Sequence, residues 1–189
     1  MSTRTQYEAD LAALKGSLAR MSQLSADAVE DALEALCTAD AEEAKGIIKG
    51  DTEVNRMERD IEHRCMTLLL RQQPVAGDLR FISAAMKVVT DVERIGDHAT
   101  NVAEWVEYSL TEIVPHLAGV RKAGDPAVSR SIEMGRKAHK MLQDAMSAFA
   151  AEDEAAAKAV IDADDAVDYD FNTIKRMLAA EIAADPGKV

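Results

Sequence analysis

The chain has 189 residues, 48% hydrophobic but only 4% aromatic, a balance that suits helices packed through Ala, Leu, Val and Met better than a sheet core. Its 34 acidic residues outweigh 22 basic ones for a net charge of -12, which excludes nonspecific nucleic-acid binding and polybasic membrane contact, since both need surplus cations. The N-terminus has no apolar signal-peptide region and no window is apolar enough to span a bilayer, so a cytoplasmic protein is expected.

In chain order, the first predicted helix runs from about Thr5 to Leu36, with Leu11, Leu14, Leu18, Met21, Leu24, Ala28, Ala32 and Ala35 spaced by three or four. Asp40, followed three residues later by Glu43, reads as a capping-box start for the second helix. Ile47, Val54, Met57, Ile61, Cys65 and Leu68 carry that helix to Gln73, where Pro74 stops it. Cys37 and Cys65 sit in apolar helical segments without CxxC spacing and are expected to be reduced, buried, small hydrophobes.

The third predicted helix, capped by Asp78, passes about thirty residues with a single interior glycine, Gly96. At about 100° per residue, Val88, Val92, Ile95, Ala99, Val102 and Val106 form one stripe, with Glu93, Asp97, Asn101 and Glu104 placed opposite it. An acidic stripe is ordinarily a solvated face. Glu93 and Asp97, however, are like charges one turn apart, which weakens a lone helix unless a cation lies nearby. The line Glu93, Asp97 and Asn101 is therefore a candidate half-site for a hard or borderline ion such as magnesium, calcium, manganese or iron.

Pro115, Gly119, Gly124 and Pro126 break the chain between Tyr108 and Pro126, where a linker is expected. A fourth helix then covers about Ala127 to Ala150 and a fifth ends near Ala184, before Asp185, Pro186 and Gly187. A shift of 113 positions matches Met21 to Met134, Asp31 to Asp144, Ala35 to Ala148, Asp40 to Asp153, Ile48 to Ile161, Asp51 to Asp164, Val54 to Val167 and Ile61 to Ile174. The pattern is an internal duplication. It gives an all-α fold with a first helical repeat over residues 1–110, a linker over 111–126 and a second repeat over 127–189 that lacks its third helix. Helices 4 and 5 carry apolar lines, Ile132, Met141, Met146 and Phe149 on one and Val160, Ile161, Val167, Ile174, Leu178 and Ile182 on the other. Two helices cannot enclose both lines, so cover is expected from a homodimer or from docking on the first repeat.

The duplication also repeats a polar pair. Asp51 and Asn55 lie one turn apart, and their counterparts Asp164 and Asp168 do the same, which adds four oxygen-bearing side chains to the metal-ligand candidates. Enzyme chemistry has no carrier here: there is no P-loop, HExxH or GxSxG motif. A carboxylate-bridged redox bundle would need two Glu-xx-His motifs, and only Asp60 and His63 come close.

RQQPVAGDLR, with Arg71, Gln72, Gln73, Pro74, Asp78, Leu79 and Arg80, followed by DVERIGDHATNVAE, is similar to the signature of the PhoU family. That resemblance extends over residues 5 to 184. It implies tandem three-helix bundles, E/D-xxx-D motifs holding metal ions (iron, zinc, magnesium or manganese), and a non-catalytic, negative regulatory role in phosphate uptake and starvation signalling. The implied partners are the phosphate ABC transporter ATPase and a phosphate-sensing histidine kinase. Glu93-xxx-Asp97 and Asp164-xxx-Asp168 fit the motif, and Asp51-xxx-Asn55 departs from it by one amide. The competing expectations are a carboxylate-type metal-binding or redox bundle and a plain helical interaction module.

Overall fold

The computed structural model describes residues 3–72, 74, 76–113 and 125–185, and is all-helical, with no strand among them. Five α-helices follow one another: α1, Thr3–Thr38; α2, Ala41–Gln72; α3, Ala76–Tyr108, which runs into a π-helical turn at Ser109–Ile113; α4, Pro126–Ala151; and α5, Glu154–Ala184. The expected linker with Pro115, Gly119 and Gly124, the stop at Pro186 and Gly187, and Gln73 of the signature lie outside the described residues.

α1, α2 and α3 pack mutually, α4 packs on α5, and α4 also packs on α1. The first unit has its core where the sequence places its periodic apolar residues: Leu14, Leu18 and Met21 of α1 meet Val54, Met57, Ile61, Cys65 and Leu68 of α2 and Ile82, Ala85, Val89 and Val92 of α3. A second cluster further along joins Ala32 and Ala35 of α1, Ala44 and Ile47 of α2, and Ala99, Ala103 and Val106 of α3. Its small side chains let three helices approach closely. Cys65 is fully buried and its thiol is pushed up to about 11, chiefly by burial, whereas Cys37 is half-buried.

The duplication reappears in the backbone. α1 ends at Thr38 and α4 at Ala151, while α2 starts at Ala41 and α5 at Glu154, each pair 113 positions apart. Ala39 and Glu152, again 113 apart, both take a left-handed conformation, with φ of 56° and 54°. The next residue caps in both copies. Asp40 Oδ1 accepts from the Glu42 and Glu43 amides, and Asp153 Oδ1 accepts from that of Ala156.

Between α2 and α3 the turn differs from the sequence expectation. α3 begins at Ala76, and Asp78 does not cap it; its Oδ2 instead accepts a 2.9 Å hydrogen bond from the Tyr7 hydroxyl, tying the start of α1 to the start of α3. Burial and the Asp78 carboxylate push the Tyr7 phenol up to about 12.

Docking on the first repeat supplies the cover for α4. Met146 and Phe149 pack against the first core, with the Phe149 ring 5.4 Å from that of Phe81. Gly135 allows the approach, since a Cβ there would lie 2.5 Å from Cδ2 of Leu33 on α1. In α5, Ile174 is buried while Ile161 and Ile182 stay exposed. Changing Ile174 would therefore damage the α4–α5 core and cannot serve as a probe of self-association alone.

Gly135→Ile should destabilise the fold by about 1–3 kcal/mol through overpacking, and adding Leu33→Ala should recover a large part of the loss. Urea titration of the single and double variants checks this. Strictly additive losses would show that α4 does not meet α1 at Leu33.

Candidate functional site

α3 has to bury one face between α1 and α2, and the face it buries is Ile82, Ala85, Val89, Val92, Gly96, Ala99, Ala103 and Val106. This is turned relative to the stripe read from the sequence, because the small residues Ala85, Gly96 and Ala103 belong to it and the bulkier Val88, Ile95 and Val102 flank it. The turn changes where the acids sit. Glu93 and Asp97 are half-buried at the edge of the core, on the seam with α2, and only Asn101 and Glu104 face fully outward.

Across that seam stand Asp51, Asn55 and Glu58 of α2. Asn55 Nδ2 donates to Asp51 Oδ2 at 2.6 Å, and Thr100 Oγ1 of α3 stands 3.5 Å from Asp51 Oδ1. The amide is thus oriented with Asn55 Oδ1 buried and without a donor, a costly arrangement in a protein interior. Burial raises the Asp51 carboxyl above its ordinary range, and Asp97 raises it further against the hydrogen bonds from Thr100 and Asn55. Glu93 is raised by burial, then by Asp97, Glu58 and Asp51, with Arg94 opposing. Glu58 is raised by burial and by Glu62 and Asp97, while Arg59 and Thr90 oppose. Among the described residues, none of Asp51, Glu58, Glu93 and Asp97 forms an ion pair.

The seam therefore gathers negative charge, a buried amide oxygen and a hydroxyl, and no sulfur or imidazole. That donor set fits a hard cation in chemical type. No three His, Cys, Asp or Glu side chains among the described residues already enclose one point. The sequence reading missed Glu58 and Thr100; the signal was available, since Glu58 lies one turn beyond the Asp51–Asn55 pair and Thr100 one turn from Gly96. Asn101 is exposed. Asp164 and Asp168 are exposed on α5, which packs on α4 and not on α2 or α3. Asp60 of the partial redox motif is exposed and paired with Arg56 at 3.1 Å. Of the signature residues, Arg71 lies in the last turn of α2, Leu79 and Arg80 are exposed in the first turns of α3, and Asp78 holds Tyr7.

Because the folded chain holds protons at Asp51, Glu58 and Glu93 more tightly than the unfolded chain, their contribution to stability without metal should rise as pH falls from neutral through these raised values. It levels off in the ordinary carboxylate range, where the unfolded chain is protonated too. Glu93→Gln should flatten this dependence and raise stability near pH 7 by a few tenths of a kcal/mol. Thermal unfolding in chelator across pH checks both points, and a destabilised Glu93→Gln would show that the seam is not repulsive.

The model of the PhoU domain matches residues 18–106 and 132–188. The phosphate-specific transport system accessory protein PhoU homolog of Aquifex aeolicus is 32% identical over 183 residues, covering 95% of this chain and 77% of that protein. Its Pseudomonas aeruginosa counterpart is 35% identical, over 96% of this chain and 71% of that one. The crystal structure of PhoU from Pseudomonas aeruginosa superposes with a TM-score of 0.84 at 33% identity, over 95% of this chain and 82% of that one. PhoU from Streptococcus pneumoniae, a phosphate transport system regulatory protein, gives 0.80 at 27% identity, over 95% and 80%. Family model, relatives and folds agree with the duplicated helical architecture and the α3 motif: the chain belongs to the PhoU family.

Proposed function

We propose that the chain is a non-catalytic accessory regulator of phosphate transport, acting by binding, with a metal ion held on the α2–α3 seam. Relatives that carry the same role in their names support the transport reading. The observation that carries the metal reading is the buried, donorless Asn55 Oδ1 beside carboxylates raised first by burial and then by one another. Asp51, Glu58, Glu93 and Asp97 would hold the ion, with Asn55 and Thr100 beside them. When bound, the ion supplies positive charge that offsets their repulsion. The seam provides donors and no preformed cage, and oxygen donors favour magnesium or manganese over zinc.

In this reading the partners are the ATPase of the phosphate ABC transporter and a phosphate-sensing histidine kinase, and the protein restrains uptake and starvation signalling by linking the two. No helix among the described residues is long and apolar enough to cross a membrane.

Capture from cells using intact protein and a Glu93→Ala/Asp97→Ala variant tests site and partners together. The variant should keep its helical circular dichroism and lose roughly tenfold or more of its metal affinity, and intact protein should retain the ATPase or the kinase. Unchanged metal content, or unfolding of the variant while metal is retained, would make these carboxylates structural. Dioxygen consumption after iron loading would favour a redox bundle instead.

A further inference from the structure

The junction of α1 with α4 carries the duplication in its own contacts. Leu33 of α1 closes on Gly135 of α4, and a shift of 113 positions turns that pair into Met146 of α4 and Ser22 of α1. The first contact is tightly packed. At the second, a cleft of about 550 Å³ lies between the helices, with Met146 and Ser22 both on its lining. Ser22 is only 6% exposed, and its hydroxyl has no hydrogen-bond partner among the described residues. An unpartnered hydroxyl in a nearly closed site calls for a polar group that the fold itself does not supply. Nor is this the face that a repeat offers to its third helix. Gln143, Asp144, Ser147 and Ala150 of the α4 wall correspond to Glu30, Asp31, Glu34 and Cys37 of α1, none of which belongs to either core cluster of the first unit.

The lining says what fits. Leu18, Ala19 and Ala26 of α1, Met146 and Phe149 of α4 and Phe81 of α3 make most of it apolar, in a volume suited to a small molecule. Lys15 is the one base on that lining; its ammonium lies 4.7 Å from the Phe81 ring centroid and has no ion-pair partner among the described residues. The acid on the lining, Asp144, is already held by Lys140 at 2.7 Å and so does not oppose an incoming anion. Free phosphate would need several donors around it, and one ammonium among leucine, methionine and phenylalanine does not provide them. We propose that the cleft binds a small aromatic anion, with its ring against Met146 and Phe149, its charged group on Lys15 and a polar substituent on Ser22. Held by α1, α3 and α4 at once, such a molecule would tie the second repeat to the first beside the Phe81–Phe149 contact. The cleft shares no residue with the α2–α3 seam, so this site stands whether or not metal binds.

Phenyl phosphate, titrated into the full isotope-labelled chain in chelator and followed by NMR, tests it. Amide shifts at Ser22, Gln23, Met146 and Ser147 should saturate, and inorganic phosphate and benzyl alcohol should each bind at least roughly tenfold more weakly. Lys15→Gln and Ser147→Trp, both at exposed positions, should keep their circular dichroism. The first should weaken phenyl phosphate roughly tenfold by loss of a charge-assisted contact, and the second should do so by blocking the mouth of the cleft. Equal binding of inorganic phosphate would remove the role of the apolar lining, and equal binding of benzyl alcohol the role of Lys15; either result would overturn the proposal. So would absence of saturation, shifts confined to the α4–α5 face, or undiminished binding by either variant.

Discussion

How closely α3 can lie between α1 and α2 decides the rest of the first unit. Gly96 marks the tightest point: a Cβ there would meet Ser25 Oγ of α1 and Val54 Cγ1 of α2, both at 3.3 Å. A Cβ at 96 would make those neighbours give way by a few tenths of an ångström, and with only small side chains at 99 and 103 the approach turns α3 so that Glu93 and Asp97 reach the seam instead of open water. The acids are brought against Asp51 and Glu58 because the core pulls them there, and their mutual repulsion is the cost of the packing. The same rotation leaves Val88 and Ile95 on the other flank. One packing constraint thus shapes both the acidic seam and the apolar flank of α3.

Much of this was legible in the sequence, though unevenly. Five helices, their approximate ends and the duplication could be read because long apolar periodicities and a 113-residue self-match leave little room for another reading. Glu93, Asp97, Asp51 and Asn55 were singled out from spacing and family motif, and α2 and α3 bring them to one seam, but their orientation was not legible. Hydrophobic periodicity weights Val and Ile, while α3 buries Ala and Gly, so the apparent stripe was centred between two surfaces and not on the core. Glu58 and Thr100 escaped although each lies one turn from a residue of interest, because only the packing of α2 on α3 shows which of those neighbours share the seam. Asp78 read as a helix cap by local rule, and tertiary contact with Tyr7, 71 positions away, claimed it instead.

The two repeats share turns and caps but not interiors. Met57, buried in the first core, corresponds to Asp170, which is only 5% exposed yet ion-paired with Arg130 at 3.2 Å and Lys137 at 2.5 Å, both from α4. Where the first unit uses a methionine among three helices, the α4–α5 pair is joined by one carboxylate and two cations. Directional bonds of this kind fix register between two helices that enclose little apolar volume, a role for which buried ion pairs are better suited than for net stability.

The docking of Met146 and Phe149 on the first core bears on how the molecule comes apart. Repeats related by duplication are often treated as modules that melt one by one. Here the covering of α4 is the outer layer of the first unit's interior, so loss of the second unit uncovers apolar surface on Phe81 and its neighbours. The two copies share part of one interior, and that shared surface couples the loss of one to the loss of the other.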